Sequence, residues 1–456
     1  MSTPHLSSDP FAAAERRSPW QATMPPMPAV LPHPLPDTAD VAVVGGGFTG
    51  LSAARELARG GASVVLVDAE TLGWGASTRN GGMVLSGHGH HLGLDGLTKK
   101  YGRDLALALQ AESVASVDHV ARLGETEGID ADMRREGHLE LAYTPADAKD
   151  LEVIAGQLAA TGSSARFVPR RELRAEIGTD EYFGGLLVPN DGGLHPGKLT
   201  VGLAHRAIEA GVDVHERTRA VAIRPQRDGR VVVETSRGAL IARHVVVGTN
   251  GYTDGAAPGL RRRLVPISSY VIATDVLDPG LLASVSPRGR MFFDTKSFLY
   301  YWRTTADGRV LFGGRASFWP MSDEKAAAVL YRGMTTIHPQ LAGVAIRYLW
   351  SGKVAFTYDR MAHAGRSGEI YYATGCCGNG VALFPYMGTR IARWMSGGPA
   401  PAIAKIGFPL VPAPYEGRTW FLPFVGEWYR LKDRRKARDR AAVLAEAGPA
   451  GGGPAA

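Results

Sequence analysis

Apolar residues along the chain fall into runs and stripes of two different periods. "DVAVVGGG", from Asp40, is a short apolar run that ends in glycines. "FTGLSAARELARGG" follows, with Leu51, Ala54, Leu57 and Ala58 on one helical face. "ASVVLVDAE" is a second run rich in Val. Strand, helix and strand within about thirty residues predict a βαβ unit, and hence a parallel sheet. From Gly102 to about Gly162 the spacing is helical, interrupted by a predicted strand in "REGHLELAYTP". "LHPGKLTVGLAHRAIEAG" predicts another helix. From Val212 to Tyr252 the pattern alternates, with turns at "RDGR" and "SRGA", and ends in the apolar run of "HVVVGTNGY". "FLYYWRTTADGRVLFGGRASF" predicts a hairpin that turns at Asp307-Gly308. "EIYYATGCCGNGVALFPYMGTRIARWM" predicts strand, glycine loop and helix. No repeat of fixed period is present.

The two ends differ from the body. Residues 1–36, with "MPPMPAVLPHPLP", predict an extended or disordered Pro-rich arm. The segment from 441 onward is low in complexity and is expected to be disordered. The 456 residues suffice for two or three domains, or one discontinuous pair. The formal charge of +7 is concentrated in Arg430–Arg440, whose seven basic and two acidic residues leave the rest at +2. A nucleic-acid-binding body is therefore not expected. The basic segment reads as a solvated helix end, with a membrane surface or nucleic acid as alternatives. Cys376 and Cys377 are adjacent, which gives no disulfide framework and no metal-ligand spacing, and fits a reducing cytoplasm. No signal pattern and no apolar run of membrane-spanning length is seen.

Gly45-Gly46-Gly47-Phe48-Thr49-Gly50 fits G-x-G-x-x-G, follows a predicted strand and opens a helix. Asp68 ends the next strand, eighteen positions beyond Gly50. In that context the glycines bring a dinucleotide pyrophosphate to the helix N-terminus, and Asp68 accepts from a ribose hydroxyl. The alternative is a βαβ unit with a glycine-rich turn and no ligand. An acid at this position disfavours a 2′-phosphate. The pattern by itself suits NAD as well as FAD. "GWGASTRNGG", from Gly73, favours FAD, because the chain makes a long glycine-rich excursion where a nicotinamide enzyme continues with βα units. Ala76, Ser77, Arg79, Asn80, Gly81 and Gly82 then become cofactor candidates, with backbone N–H groups at Asn80, Gly81 and Gly82 meeting a ring edge. Further candidates are Thr249, Asn250 and Gly251 at a strand end, and Val221 on an alternating strand. Gly375, Gly378, Asn379, Gly380 and Val381 form a glycine loop before a helix, whose positive end suits an anionic partner.

These pieces carry a family resemblance. From about Asp40 to Met395 the chain resembles the D-amino-acid-oxidase-like superfamily of FAD enzymes, and more narrowly the gamma-glutamylputrescine oxidoreductase group. The shared stretches are "VVGGGFTGLSAARELA", "GWGASTRNGG", "GTNGY", "DGRVLFGGR", "WSGKVAFTYDRM" and the loop at Gly375. The resemblance implies a Rossmann-like α/β FAD-binding domain (37–90, 195–265, 350–398) and a mixed α+β substrate domain (91–194, 266–349) whose antiparallel sheet covers the flavin. An extension at 399–440 and a tail at 441–456 would follow. It also implies hydride removal from the carbon next to an amine nitrogen, giving an imine that water hydrolyses. The implied partners are a small amine or amino acid and oxygen or another electron acceptor, without nucleic acid or an integral membrane segment. The alternatives are a dehydrogenase serving a quinone or protein acceptor, and a flavoprotein scaffold with silent redox chemistry.

Some positions depart from the family pattern. Asn379 stands where the last loop commonly has histidine, and Ala362 where proline is usual. "GKVAFTYD" has no cysteine for flavin attachment, so non-covalent FAD is expected. "GRVLFGGR" has no lysine at the position that sarcosine oxidases use for oxygen. On the substrate side, Tyr301, Arg303 and Thr305 share one strand face, opposite Phe298, Tyr300 and Trp302. In the family the face of Tyr301 and Arg303 tends to look into the active site. There Tyr301 would meet an amine cation and Arg303 a substrate carboxylate. The alternative is core aromatics and a solvated arginine. His88, beside His90 and His91, is expected either to line the pocket, holding the amine deprotonated, or to form a polar turn. No metal site is expected.

Overall fold

The computed structural model describes residues 9–87, 93–319 and 321–446. Two eight-stranded sheets dominate it. The centre of the first is five parallel strands in the order Ile370–Thr374, Gly238–Val247, Thr38–Val44, Val64–Val67 and Asp213–His215. Buried on both faces, the inner strands need apolar residues at every position, which explains their unbroken Val-rich runs. One face is covered by helices Phe48–Arg59, Pro196–Glu209 and Gly380–Met395, packed through Leu51, Leu203 and Leu383. The other face carries the antiparallel strands Ala220–Pro225 and Val231–Thr235.

The second sheet runs in the order Ile346–Phe356, Val265–Thr274, Val310–Gly314, Tyr300–Thr304, Met291–Asp294, His138–Leu141, Gly184–Val188 and Arg166–Pro169. It is antiparallel except where Met291–Asp294 runs parallel to His138–Leu141. The predicted hairpin is present, turning at Asp307-Gly308 with Gly308 at φ +85°. Trp302, fully buried, packs with Phe292 and Phe312 beneath helix Asp323–Ile337.

The described parts of both end segments are more ordered than their composition suggests. The described part of the Pro-rich arm contains a helix, Pro19–Thr23, started by a capping box between Ser18 and Gln21. Glu15 adds to the sheet edge beside Tyr348. At the other end, helix Leu422–Glu446 runs through 441–446, where disorder was expected. Its alanines, Val443 and Leu444 are good helix formers or neutral, and the glycines begin only at 448.

Candidate functional site

The first strand runs into Gly45, which takes φ +105° and donates its N–H to the Val67 carbonyl at 2.9 Å. Helix Phe48–Arg59 starts three residues later, with Gly47 at its cap and no capping side chain on that residue. A Cβ on Gly50 would lie 1.8 Å from the Gly45 carbonyl oxygen, so glycine alone permits this approach of helix to strand. A Cβ on Gly47 would meet only the Ser77 hydroxyl, at 2.8 Å. That hydroxyl accepts from the Phe48 N–H at 3.0 Å. The open helix end therefore faces space rather than packed side chains, the arrangement that receives a phosphate.

That space is a cavity of about 670 Å³. Gly45, Gly47, Phe48, Thr49 and Asp68 line it from the βαβ unit. Ala76, Ser77 and Asn80 line it from the glycine-rich excursion, Thr249, Asn250 and Gly251 from the strand end, and Gly378, Gly380 and Val381 from the last loop. The Asp68 carboxylate accepts from the N–H groups of Gly46 (2.6 Å) and Glu70 (2.8 Å). Burial raises its pKa above the usual carboxylate range, against these two bonds. Each carboxylate oxygen retains a second lone pair for a ribose hydroxyl. Asn250, at φ +41°, ties two parts of the wall together: its Oδ1 accepts from the Gly375 N–H at 3.0 Å.

Several sequence candidates sit elsewhere. Gly50 is a packing residue beneath the cavity. Val221 is half exposed and points away, while its neighbour Ala220 lines the wall; reading the strand one residue out of phase exchanges its two faces. Arg79 stacks over Trp74, 5.0 Å from the ring centroid, and donates to the Trp74 carbonyl at 2.9 Å, so it braces the loop instead of facing the cavity. The Asn80 amide likewise closes the loop on itself, donating to the Ala76 and Ser77 carbonyls and accepting from the Gly82 N–H at 2.8 Å. That bond uses the Gly82 N–H proposed for a ring edge. Gly81 lies under Tyr301, whose ring would be 3.0 Å from a Cβ there. Gly375, at φ +72°, turns the chain against Thr357.

Tyr301 and Arg303 do share the face that meets the excursion, but neither is free. The Tyr301 hydroxyl lies 3.1 Å from Ser269 Oγ, and burial pushes its pKa up to about 12. Arg303 is buried and donates to the carbonyls of Gly82 (2.6 Å) and Leu194 (3.0 Å). Burial lowers its pKa to about 10, which still leaves it charged near neutrality. Its guanidinium is a clamp between three segments, a correction to its expected part in binding a substrate carboxylate or lying in solvent. His88 falls outside the described residues.

Residues not foreseen also line the cavity, among them Arg219, Arg261, Lys353 and Tyr252. Lys353 sits in "WSGKVAF" and Tyr252 in "GTNGY", so the stretches were legible but these roles were not. The three cations are matched on the same wall by Asp68, Glu70 and Asp254, and Arg219 pairs with the last two.

A second cavity of about 200 Å³ has a lining that meets the first one's at residues 378–380. Asn379 lines it, while its neighbours Gly378 and Gly380 line the larger one. The Asn379 side chain is buried and donates to the Gly87 carbonyl at 2.9 Å; its Oδ1 has no hydrogen-bond partner among the described residues. Around this cavity His138 Nδ1 lies 2.7 Å from the Asp191 carboxylate, and Ser86 donates its N–H to the same carboxylate at 2.9 Å. Glu140 also lines it, its pKa pushed by burial up to about 7.

A family model described as DAO, FAD dependent oxidoreductase, matches residues 40–394. The chain belongs to this family of FAD-dependent oxidoreductases. This DAO-family chain is 33% identical over 366 residues to a probable oxidoreductase, OrdL, of Haemophilus influenzae, covering 79% of this chain and 83% of the relative. It is 32% identical over 438 residues to the gamma-glutamylputrescine oxidoreductase of Escherichia coli, covering 95% and 99%. In fold it is similar to glycine oxidase from Geobacillus kaustophilus, with TM-score 0.67, 22% identity, and 84% and 99% of the two chains covered. It is also similar to L-proline dehydrogenase from P. horikoshii, with TM-score 0.65, 21% identity and 88% and 99% covered. The cavity fits FAD in kind: an open helix end for phosphate, an acid at the end of the second strand, and a glycine-rich path leading from it under the second sheet.

Proposed function

We propose that the chain oxidises a small amine or amino acid at the carbon next to nitrogen. The observation that carries this reading is the shared wall. Residues 378–380 separate the cofactor cavity from a smaller cavity that holds the buried Asn379 amide, whose oxygen has no partner among the described residues, and the carboxyl groups of Glu140 and Asp191. Bound FAD would supply the two-electron acceptor for a hydride. The nitrogen would lose a proton, and the imine would be hydrolysed by water to an aldehyde or keto acid and a freed amine.

The chain's own residues bind and orient. Gly45, Gly47, Ser77 and Asp68 would hold the cofactor's phosphates and ribose, and Tyr301 with Arg303 would fix the loop beneath the second sheet. Glu140 and Asp191 would favour a cationic nitrogen in the smaller cavity, with Leu186 and Phe293 excluding water. The names of the relatives, gamma-glutamylputrescine oxidoreductase and glycine oxidase, support a C–N donor.

The test is a panel of amines and amino acids mixed anaerobically with the purified flavoprotein. Bleaching of the flavin by one class, with release of the matching aldehyde or keto acid, is expected. A protein that holds FAD and is reduced by chemical reductant but by no amine would refute the reading.

A further inference from the structure

Helix Leu422–Glu446 carries apolar residues on two opposite faces of its first half. The inward face is accounted for. Leu422, Val425 and Tyr429 pack with Val265, Ile267 and Phe318. Further along that face, the Asp433 carboxylate accepts the N–H groups of Ser297 and Phe298, both at 2.9 Å. Lys436 then donates to Asp147, and Arg440 to Glu181, both at 2.6 Å.

The outward face is not accounted for. Phe424, Trp428 and Leu431 follow one another at spacings of four and three, with Trp420 four residues before them. Their exposures are 71%, 60%, 55% and 57%. Trp319 and Tyr358, also exposed, are chain neighbours of groups that touch the inward face: Phe318 packs on Tyr429, and Arg360 donates to the Tyr429 hydroxyl. A helix that is apolar on both sides is normally covered on both. Among the described residues the large side chains of this face remain exposed.

The same outward face turns basic where the apolar stripe ends. Arg435 and Arg438 continue the stripe, flanked by exposed Lys432 and Arg434. A second copy of the chain would bring two such basic faces together. Anionic headgroups would instead complement the charge, and Trp and Phe are the side chains that settle at the boundary between headgroups and acyl chains. No helix among the described residues is long and apolar enough to cross a membrane, so contact would be peripheral.

We propose that this face of helix Leu422–Glu446 docks the protein on an anionic bilayer surface, with Trp420, Phe424, Trp428 and Leu431 entering the interface and the basic residues meeting lipid phosphates. The docking is independent of the substrate proposed above. It would place the protein beside lipid-soluble electron acceptors.

Co-sedimentation of the full-length flavoprotein with vesicles tests this. One set is phosphatidylcholine alone and the other contains phosphatidylglycerol. Binding to the anionic set is expected, weakening with salt. Phe424→Ser with Trp428→Ser should reduce it by at least about tenfold. Arg435→Gln and Arg438→Gln should each reduce it roughly fivefold. Since all four side chains are exposed, melting temperature and flavin content should not change. Absence of binding to either vesicle, or binding that the variants leave intact, would overturn the proposal. So would self-association that the serine variant dissolves without any vesicle binding, which would assign the face to a second copy.

Discussion

The indole N–H of Trp20 donates to the carbonyl of Asn80 at 2.8 Å, across sixty positions of sequence. Ser18 donates to the Thr78 carbonyl at 2.7 Å, and Gln21 to the Thr78 hydroxyl at 3.1 Å. His195 completes the contact: its ring packs edge-on against Trp20, and its Nε2 lies 2.9 Å from Thr23 Oγ1. The N-terminal arm is thus built into the loop that lines the cofactor cavity.

Replacing Trp20 should therefore weaken the cofactor's hold. Trp20→Phe keeps most of the buried ring and loses the hydrogen bond, at a cost of about 1 kcal/mol, or roughly fivefold in FAD affinity if the loop carries it. Trp20→Ala also opens a cavity and should cost about 3–5 kcal/mol of stability. Flavin titration of the apoprotein, beside thermal melts, separates the two effects. Unchanged affinity in both variants would remove the arm from the site.

Arg303 is expected to act through the fold. Arg303→Lys loses the paired bonds to Gly82 and Leu194 and should lower stability by about 2 kcal/mol. KM should change equally for substrates with and without a carboxylate. A selective rise in KM for carboxylate substrates would restore the role in substrate binding.

Arg55 and Glu127 form a buried pair, with Nη1 and Oε2 2.8 Å apart, that joins the helix opening the cofactor site to the end of helix Arg103–Glu127. Glu127→Ala leaves the guanidinium buried and uncompensated and should cost about 3–5 kcal/mol. Arg55→Met together with Glu127→Leu should recover most of that loss. Urea denaturation of the three proteins measures it.

Stability should fall on acidification. Burial holds His119, His195 and His338 each down to about 4 in the folded protein, against 6.5 when free. The unfolded chain therefore binds more protons as the pH drops through 6.5, and folding loses free energy until about pH 4. Glu140, raised to about 7, works the other way, because its burial penalty is relieved as the pH falls through 7. These four groups alone leave a net loss of roughly 2–4 kcal/mol by pH 5, which Asp68, Glu112 and Asp294, also raised by burial, reduce. Melting temperatures at pH 7.5 and 5 check this, and a higher value at pH 5 would contradict it.

The parts of the fold legible in sequence were those set by local pattern. The βαβ unit followed from Val runs, a glycine turn and one amphipathic helix, all within neighbouring residues. The hairpin followed from alternation around Asp307-Gly308. What was not legible depends on distant partners. Arg303 finds its acceptors 221 and 109 positions away, so its strand context could not distinguish a clamp from a substrate ligand. Trp20 is a lone aromatic near prolines, with nothing local to show what it meets. At Val221 one residue of strand phase decides which side chain looks inward, and its side chain is the exposed one.

The most direct measurement is the anaerobic titration of the purified holoprotein with an amine or amino acid that it turns over, followed in the flavin absorbance band. Full bleaching at one equivalent of substrate per bound FAD, with one equivalent of imine-derived carbonyl product, is predicted. A colourless protein that takes up no added FAD would contradict the account at its centre.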